Sequence, residues 1–429
     1  MILDNIIEDY ISGDWGNEEY SSDSPNAVFC IRAADFAPIL SVDYTNIPTR
    51  YINDSSFENK LLKVGDIVIE KSGGSPTQST GRVILITEDL IREKRYIVCS
   101  NFCEAFRVKK EWNPFYVFSY MQFLYNEGVF FNFEGKTSGL KNLQMDQAFS
   151  SIDIPEQKSD ISILASIDEK IALTRKINIE LEALVREIYD YWFVQFDFPN
   201  KDGKPYKSSG GNMVWDERIK KAIPEGWEVS TLSSKIIDKK SGDWGQDEFK
   251  APYTMKVNCI RGADFADPSN APIRYINNKN DNRLLAENDI IVEISGGSPI
   301  QATGRSVFVS KGLLERYKGH IICSNFCQAL TLENVNTSLY FFYTWVMLYD
   351  NDNMFNYEGK TSGIKNLQID ILLENYWYFP SNDLLSIYAK IVQESIVQKD
   401  LNVAELNDLV QLRSFLLPLL MNGQVYKAK

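Results

Sequence analysis

Histidine is nearly missing from this chain: His320 is the only one in 429 residues. That leaves little room for imidazole acid–base catalysis or for a Ser–His–Asp triad. The GxSxG elbow, the HExxH motif and a dinucleotide-binding glycine fingerprint are missing too. With 58 acidic residues, carboxylate pairs are always on offer, but nothing marks any of them out. No stretch reaches the ~20 apolar residues of a membrane helix; the nearest, Leu339–Tyr349, has the length of a buried helix. The opening MILDNIIEDY carries acidic residues where a signal peptide carries basic ones, so no export signal is read and a cytoplasmic location is expected. An excess of basic charge is also lacking. The net charge of −13 weighs against a simple nucleic-acid binder, because phosphate contacts need Lys and Arg. Local patches, or basic surface on other subunits, can offset it.

Cysteines number six and fall in equivalent places of the two halves: Cys30 with Cys259, Cys99 with Cys323, and Cys103 with Cys327. The run CSNFC reads as strand, which would put Cys99 and Cys103 on one face with Asn101 between them. A four-ligand zinc site lacks a partner in either half unless a carboxylate joins. Buried small hydrophobes are the expected role, with metal binding as the alternative.

What the sequence does have is a copy of itself. SGDWG at Ser12–Gly16 recurs at Ser241–Gly245, CIRAADF at Cys30 recurs as CIRGADF at Cys259, and RYIN occurs at Arg50 and Arg274. LLKVGDIVIEKSGGSPTQSTGR (Leu61–Arg82) returns as LLAENDIIVEISGGSPIQATGR (Leu284–Arg305), with 14 of 22 positions identical. NFEGKTSGLKNLQ (Asn132–Gln144) returns as NYEGKTSGIKNLQ (Asn356–Gln368), with 11 of 13 identical. Such self-similarity organises a fold before any local feature does.

A long helical pattern follows each copy. Leu164, Ile167, Ile171, Ile177, Leu181, Leu184, Val185 and Ile188 recur at threes and fours, as do Ile387, Ile391, Ile396, Val403, Leu406, Leu409, Val410 and Leu417. Each pattern spans about 30 residues, or about 45 Å. KINIELEALV and KDLNVAELNDLV align Asn178 with Asn402; a polar pair in such a seam can fix register, and a solvated position explains either residue as well. Two related helices pair most easily antiparallel. The expected fold is thus α/β (α+β) globular domains in tandem repeat, each followed by a long α-helix, with the helices forming an antiparallel coiled coil of pseudo-twofold symmetry. The expected domains are 1–155, first recognition domain; 156–196, first spacer helix; 197–226, a Gly-, Ser-, Lys- and Pro-rich linker; 227–381, second recognition domain; and 382–429, second spacer helix and tail.

GKTSG resembles part of a phosphate-binding loop, but the required earlier Gly is Phe130 in one copy and Met354 in the other, so that reading fails. What is duplicated is short, polar and Gly-rich, and follows an apolar strand-like run (Asp66–Glu70, Asp289–Glu293). Loops on a rigid scaffold commonly carry binding residues. The candidate DNA-binding residues are Ser72, Ser75, Gln78, Thr80, Arg82, Lys136, Thr137, Lys141 and Asn142, with Ser295, Ser298, Gln301, Thr303, Arg305, Lys360, Thr361, Lys365 and Asn366 in the second copy. Gln78/Gln301 and Asn142/Asn366 suit adenine; Arg82/Arg305 and Lys136/Lys360 suit guanine or phosphate. A turn held by its own hydrogen bonds explains the same residues equally well. Trp15, Trp244 and the aromatic runs FYVFSYMQFLY and LYFFYTWVMLY read as core rather than as a stacking platform.

The order of EIYDYWFVQFDFPNKDGKPY, IPEGWEVSTL, VGDIVIEKSGG with NDIIVEISGG, GLKNLQ with GIKNLQ, and LRSFLLPLLMNGQV resembles the specificity (S) subunit of type I restriction–modification systems across essentially the whole chain. The resemblance implies two target recognition domains, each reading half of a bipartite double-stranded DNA site. The helices between them would dock two methyltransferase (M) subunits, which methylate adenine at N6. Restriction (R) subunits would join that core. The S subunit itself would be non-catalytic and bind no cofactor directly, with S-adenosylmethionine and ATP/Mg on its partners, and no membrane would be involved. One departure is that the first copy lacks a PEGW lead-in; the tail of the second helix is expected to pack there, closing a circular arrangement. Because the copies match so closely, the half-sites are expected to be near-palindromic, with about 13 bp between their centres at ~3.4 Å per base pair. The alternatives are a non-enzymatic protein-binding coiled-coil adaptor and a nuclease with dispersed carboxylates.

Overall fold

The structure, a computed structural model, describes residues 1–73, 78–137, 140–156, 161–296, 301–360 and 364–424. It divides into two compact units, one of residues 1–177 with 405–429 and the other of residues 178–404. The division falls inside the two long helices rather than at their ends.

In the first unit a four-stranded antiparallel sheet runs in the order Ile7–Ser12, Cys103–Val108, Ile67–Glu70, Val83–Leu85. Its third strand, IVIE, is buried along its whole length, as an apolar run covered on both faces must be. A second sheet joins Thr49–Ile52, Asn26–Ile31 and Ile97–Cys99, the last pair parallel. A third, small sheet of Ser72–Gly73, Leu140–Leu143 and Glu134–Thr137 carries the duplicated loops. Helix Pro114–Asn126 covers the first sheet; Pro114 supplies a preset φ at its first turn and Asn113 accepts from the amides of Phe115 and Tyr116.

The second unit has three sheets of the same strand order. They are Ile236–Ser241, Cys327–Leu332, Ile290–Glu293, Ser306–Phe308; then Ile273–Asn277, Tyr253–Ile260, Ile321–Cys323; then Ser295–Gly296, Lys365–Leu367, Glu358–Lys360. Helix Val335–Asp350, capped by Asn334, takes the place of Pro114–Asn126. The aromatic runs on both helices lie in the two main core clusters, as expected from their density.

Four expectations are corrected. CSNFC is not one strand: Cys99 ends a strand of one sheet and Cys103 begins a strand of another, with a turn between, because Ser100–Phe102 must carry the chain from sheet to sheet. All six cysteines are buried. Burial pushes the thiols of Cys30, Cys103, Cys259 and Cys327 up to about 12. Residues 197–226 hold a β-hairpin, Met213–Asp216 with Lys221–Pro224, rather than loop alone. The first long helix, Ser162–Tyr189, has 28 residues, near the expected length, and runs into a π-helical turn, Asp190–Val194. The second, Asn382–Met421, has 40 residues and holds Pro418 in its last turn. It runs past Leu417, the last residue of its apolar pattern, because Leu420 and Met421 are buried with Leu417 in the first unit's core together with Leu3, Ile6 and Ile7. The fourth correction concerns Trp244 and is described with the site.

Each unit contains a segment of both long helices. In the first, Arg413 is ion-paired with Asp168, and Lys170 lies 3.2 Å from Glu405. In the second, Lys399 is ion-paired with Glu182, and Asn402 donates to Asn178 at 2.7 Å. Asn402 is buried, so this hydrogen bond satisfies an amide that would otherwise be costly to bury. Burial raises the Glu182 carboxyl, yet Lys399 and Arg186 outweigh it and hold it below its usual range.

Candidate functional site

The buried strand Ile67–Glu70 ends on a carboxylate. Arg82, returning on the next strand, meets it in a two-pronged contact: Nε to Glu70 Oε2 at 2.7 Å and Nη2 to Oε1 at 2.8 Å. Arg305 and Glu293 repeat the contact at 2.9 and 2.7 Å. The hydrogen bonds to carboxylate raise both guanidinium pKa values. Glu70 and Glu293 are buried, so each Arg neutralises a charge that would be expensive alone.

The second loop is organised by Glu134, and by Glu358 in the other unit. Glu134 Oε1 accepts from the Thr80 amide at 2.8 Å and hydroxyl at 3.3 Å; Glu358 accepts from Thr303 at 2.8 and 3.1 Å. Lys141 reaches the other oxygen of Glu134 at 3.1 Å and the Gln78 carbonyl at 3.2 Å. Lys365 does the same with Glu358 at 3.0 Å and Gln301 at 3.4 Å. The Ser72 hydroxyl donates to Asn142 Oδ1, and Ser295 to Asn366, both at 2.5 Å.

The structure thus brings Ser72, Gln78, Thr80, Arg82, Lys141 and Asn142 together across the two loops, and Ser295, Gln301, Thr303, Arg305, Lys365 and Asn366 likewise. Their outlets differ. Thr80 and Thr303 are buried, and Arg82 and Arg305 face their carboxylates, so those four hold the loops in shape. Gln78 and Gln301 are exposed. Lys136 and Thr137 lie on strand Glu134–Thr137, and Lys360 on Glu358–Lys360. Ser75, Ser298 and Thr361 lie outside the described residues. Glu70, Glu134, Glu293 and Glu358 were missed from the sequence, although Glu134 and Glu358 stand in both copies of the EGK loop.

Trp244 lies outside the core, whereas Trp15 packs against the small cluster of Val28, Cys30, Ile52 and Val98. Trp244 is exposed and Trp15 half-buried; the Arg50 guanidinium lies 4.1 Å from the Trp15 ring centre and that of Arg274 4.9 Å from Trp244. The SGDWG loop is drawn so tightly to the sheet that a Cβ on Gly13 would meet the Ser100 carbonyl oxygen at 2.0 Å, and one on Gly242 the Ser324 oxygen at 1.8 Å. The Asp14 amide on the Cys99 carbonyl at 2.7 Å holds the same loop against the sheet.

Among the described residues no cluster of three or more His, Cys, Asp or Glu suits a metal ion, and no helix is long and apolar enough to cross a membrane.

A family model described as the type I restriction modification DNA specificity domain matches residues 25–183. The type I restriction enzyme MjaIX specificity subunit of Methanocaldococcus jannaschii is 23% identical over 330 residues, covering 70% of this chain and 69% of that protein. The crystal structure of a type-I restriction-modification system S subunit from M. genitalium has a similar fold, with a TM-score of 0.54, 15% identity, and coverage of 98% of this chain and 95% of that one. Residues 25–183 thus match a type I restriction modification DNA specificity domain, and over most of its length the chain is similar to a specificity subunit, in line with the resemblance carried by the motifs.

Proposed function

We propose that this chain is the DNA sequence-recognition subunit of a type I restriction–modification complex, with one recognition domain in each unit. The match of residues 25–183 to a DNA specificity domain carries this reading. Two loop systems of the same hydrogen-bonded design support it. The chain supplies no catalytic group; methyl transfer to adenine N6 and ATP-driven restriction would belong to M and R subunits holding S-adenosylmethionine and ATP/Mg, in the cytoplasm.

The two long helices serve as spacer and dock. Asn178 and Asn402, equivalent by the repeat, hydrogen-bond to each other, as an antiparallel pair with pseudo-twofold symmetry would require. Leu173, Ile177 and Leu184 on one helix and Ile387, Val397 and Leu401 on the other are exposed, which suits docking of two M subunits better than a solvated face. Because the loops are nearly the same in both copies, the half-sites are near-palindromic.

Co-expression with its methyltransferase subunits, followed by methylation mapping, tests the reading. The expected result is one interrupted site with two related, inverted half-sites. Unrelated half-sites would sink the palindrome alone. No methylation and no salt-dependent DNA binding by the complex would sink the DNA reading and favour the adaptor.

A further inference from the structure

The described cations of each loop pair are already matched inside the chain. Lys71 sits 2.6 Å from Glu104, Arg82 2.7 Å from Glu70 and Lys141 3.1 Å from Glu134. In the second unit Arg305 and Lys365 are matched in the same way. These internally matched cations hold the loops in shape, and uncharged groups stand on the same face.

Two aromatic rings flank each loop pair. Phe102 is 57% exposed and Phe131 47%; their counterparts Phe326 and Phe355 are 43% and 38% exposed. Scattered surface apolar residues need no explanation, but these four are fastened to the loops. The Phe102 carbonyl accepts from the Lys71 and Ser72 amides at 2.8 and 3.0 Å, and that of Phe326 from Ile294 and Ser295 at 2.8 and 3.1 Å. Lys141 lies 5.0 Å above the Phe131 ring and Lys365 4.6 Å above Phe355. The core does not ask for them. The buried neighbour of Phe131 is Phe130, which becomes Met354 in the other copy, whereas the exposed ring stays Phe. The ring that could vary freely on a bare surface is kept; the one inside the core is not.

We propose that Phe102 and Phe131 in the first unit, and Phe326 and Phe355 in the second, are DNA-contacting residues that bracket each loop pair and touch thymine methyl groups in the major groove. This rests on the DNA-recognition reading above. Neutral amides such as Gln78 and Gln301, together with apolar rings, match what major-groove base edges present: donor and acceptor pairs and the thymine methyl.

The test uses the full chain with its co-expressed methyltransferase subunits and a random-sequence duplex pool enriched on the wild-type complex. Binding is read by fluorescence anisotropy. Phe102→Ala, Phe131→Ala, Phe326→Ala and Phe355→Ala should each weaken binding about tenfold, with Leu at the same positions losing less. Melting temperature and assembly with the methyltransferase should stay at wild-type values. Deoxyuridine in place of thymidine should weaken the wild type to a similar degree and the Ala variants little further. Wild-type affinity in the Ala variants, equal binding of uracil-containing duplex, or loss of assembly in place of loss of DNA binding would overturn the proposal. A wild-type complex that binds no duplex would instead remove the recognition reading on which it stands.

Discussion

The two units agree where they face outward through the loops and differ where they are closed off. The loop contacts repeat closely: Thr80 and Thr303 amides each lie 2.8 Å from their Glu, and Lys141 and Lys365 lie 3.1 and 3.0 Å from theirs. Elsewhere the chemistry diverges. The second unit pairs strand Glu228–Thr231 with Tyr376–Phe379 and sets Phe196 edge-on to Trp227 and Tyr378 beside them. The first has no such strand pair among its described residues; it seats Leu3, Ile6 and Ile7 against Leu417, Leu420 and Met421. Packing accepts many solutions of the right volume, but a charged, hydrogen-bonded loop accepts few. Near-identity therefore marks the parts under geometric constraint.

Removing the shared ion pair gives the largest effect. Arg82→Ala leaves Glu70 buried and unmatched, and should cost about 3–5 kcal/mol; Arg305→Ala should cost the second unit a similar amount. Urea unfolding of each variant measures this, and a large loss in one unit alone would break the equivalence. A swap of core residues sharpens the contrast. Trp345 donates from Nε1 to the Gly304 carbonyl at 2.7 Å, while its counterpart is the buried Met121. Trp345→Met should lose about 2–4 kcal/mol through volume and the orphaned carbonyl. Met121→Trp should lose about 1–3 kcal/mol by overpacking. Thermal unfolding of both variants checks the pair; a stabilising swap in either direction would show the two cores to be interchangeable.

The smallest effect separates two glycines. Gly81 and Gly304 have φ of +96° and +99°, so alanine is strained at both. A Cβ on Gly81 would meet the Phe130 ring at 2.8 Å, but on Gly304 the flexible Met354 side chain at 3.0 Å. Gly81→Ala should therefore cost about 1–3 kcal/mol, and Gly304→Ala about 1 kcal/mol less. Equal losses would mean that the backbone angle alone decides.

The repeat, the two helices and the loop positions were legible because they rest on identity and period. Leu164, Ile167 and Ile171 are buried on one helix face, as their spacing requires. Partner choice was not legible. Arg82 finds Glu70 only because strands Ile67–Glu70 and Val83–Leu85 are antiparallel neighbours, a fact of register that no spacing rule states. The SNF turn was hidden because it contains neither Gly nor Pro, the usual marks of a reversal. Trp244 misled for a different reason: its ring suits a core, but it stays exposed with the Arg274 guanidinium over its face. The second helix ran past Leu417, the end of its pattern, because what buries Leu420 and Met421 lies some 400 residues earlier in the chain.

That last contact sets an order of completion. Residues 178–404 contain everything the second unit needs, while the first unit closes on residues 405–429. While the ribosome builds the chain, the unit encoded first waits with its core open until the end of the second helix arrives. Closing a loop of that length costs only a few kcal/mol of entropy, but it slows folding, because distant contacts come late. The unit encoded first is thus the one exposed longest to misfolding and to chaperones.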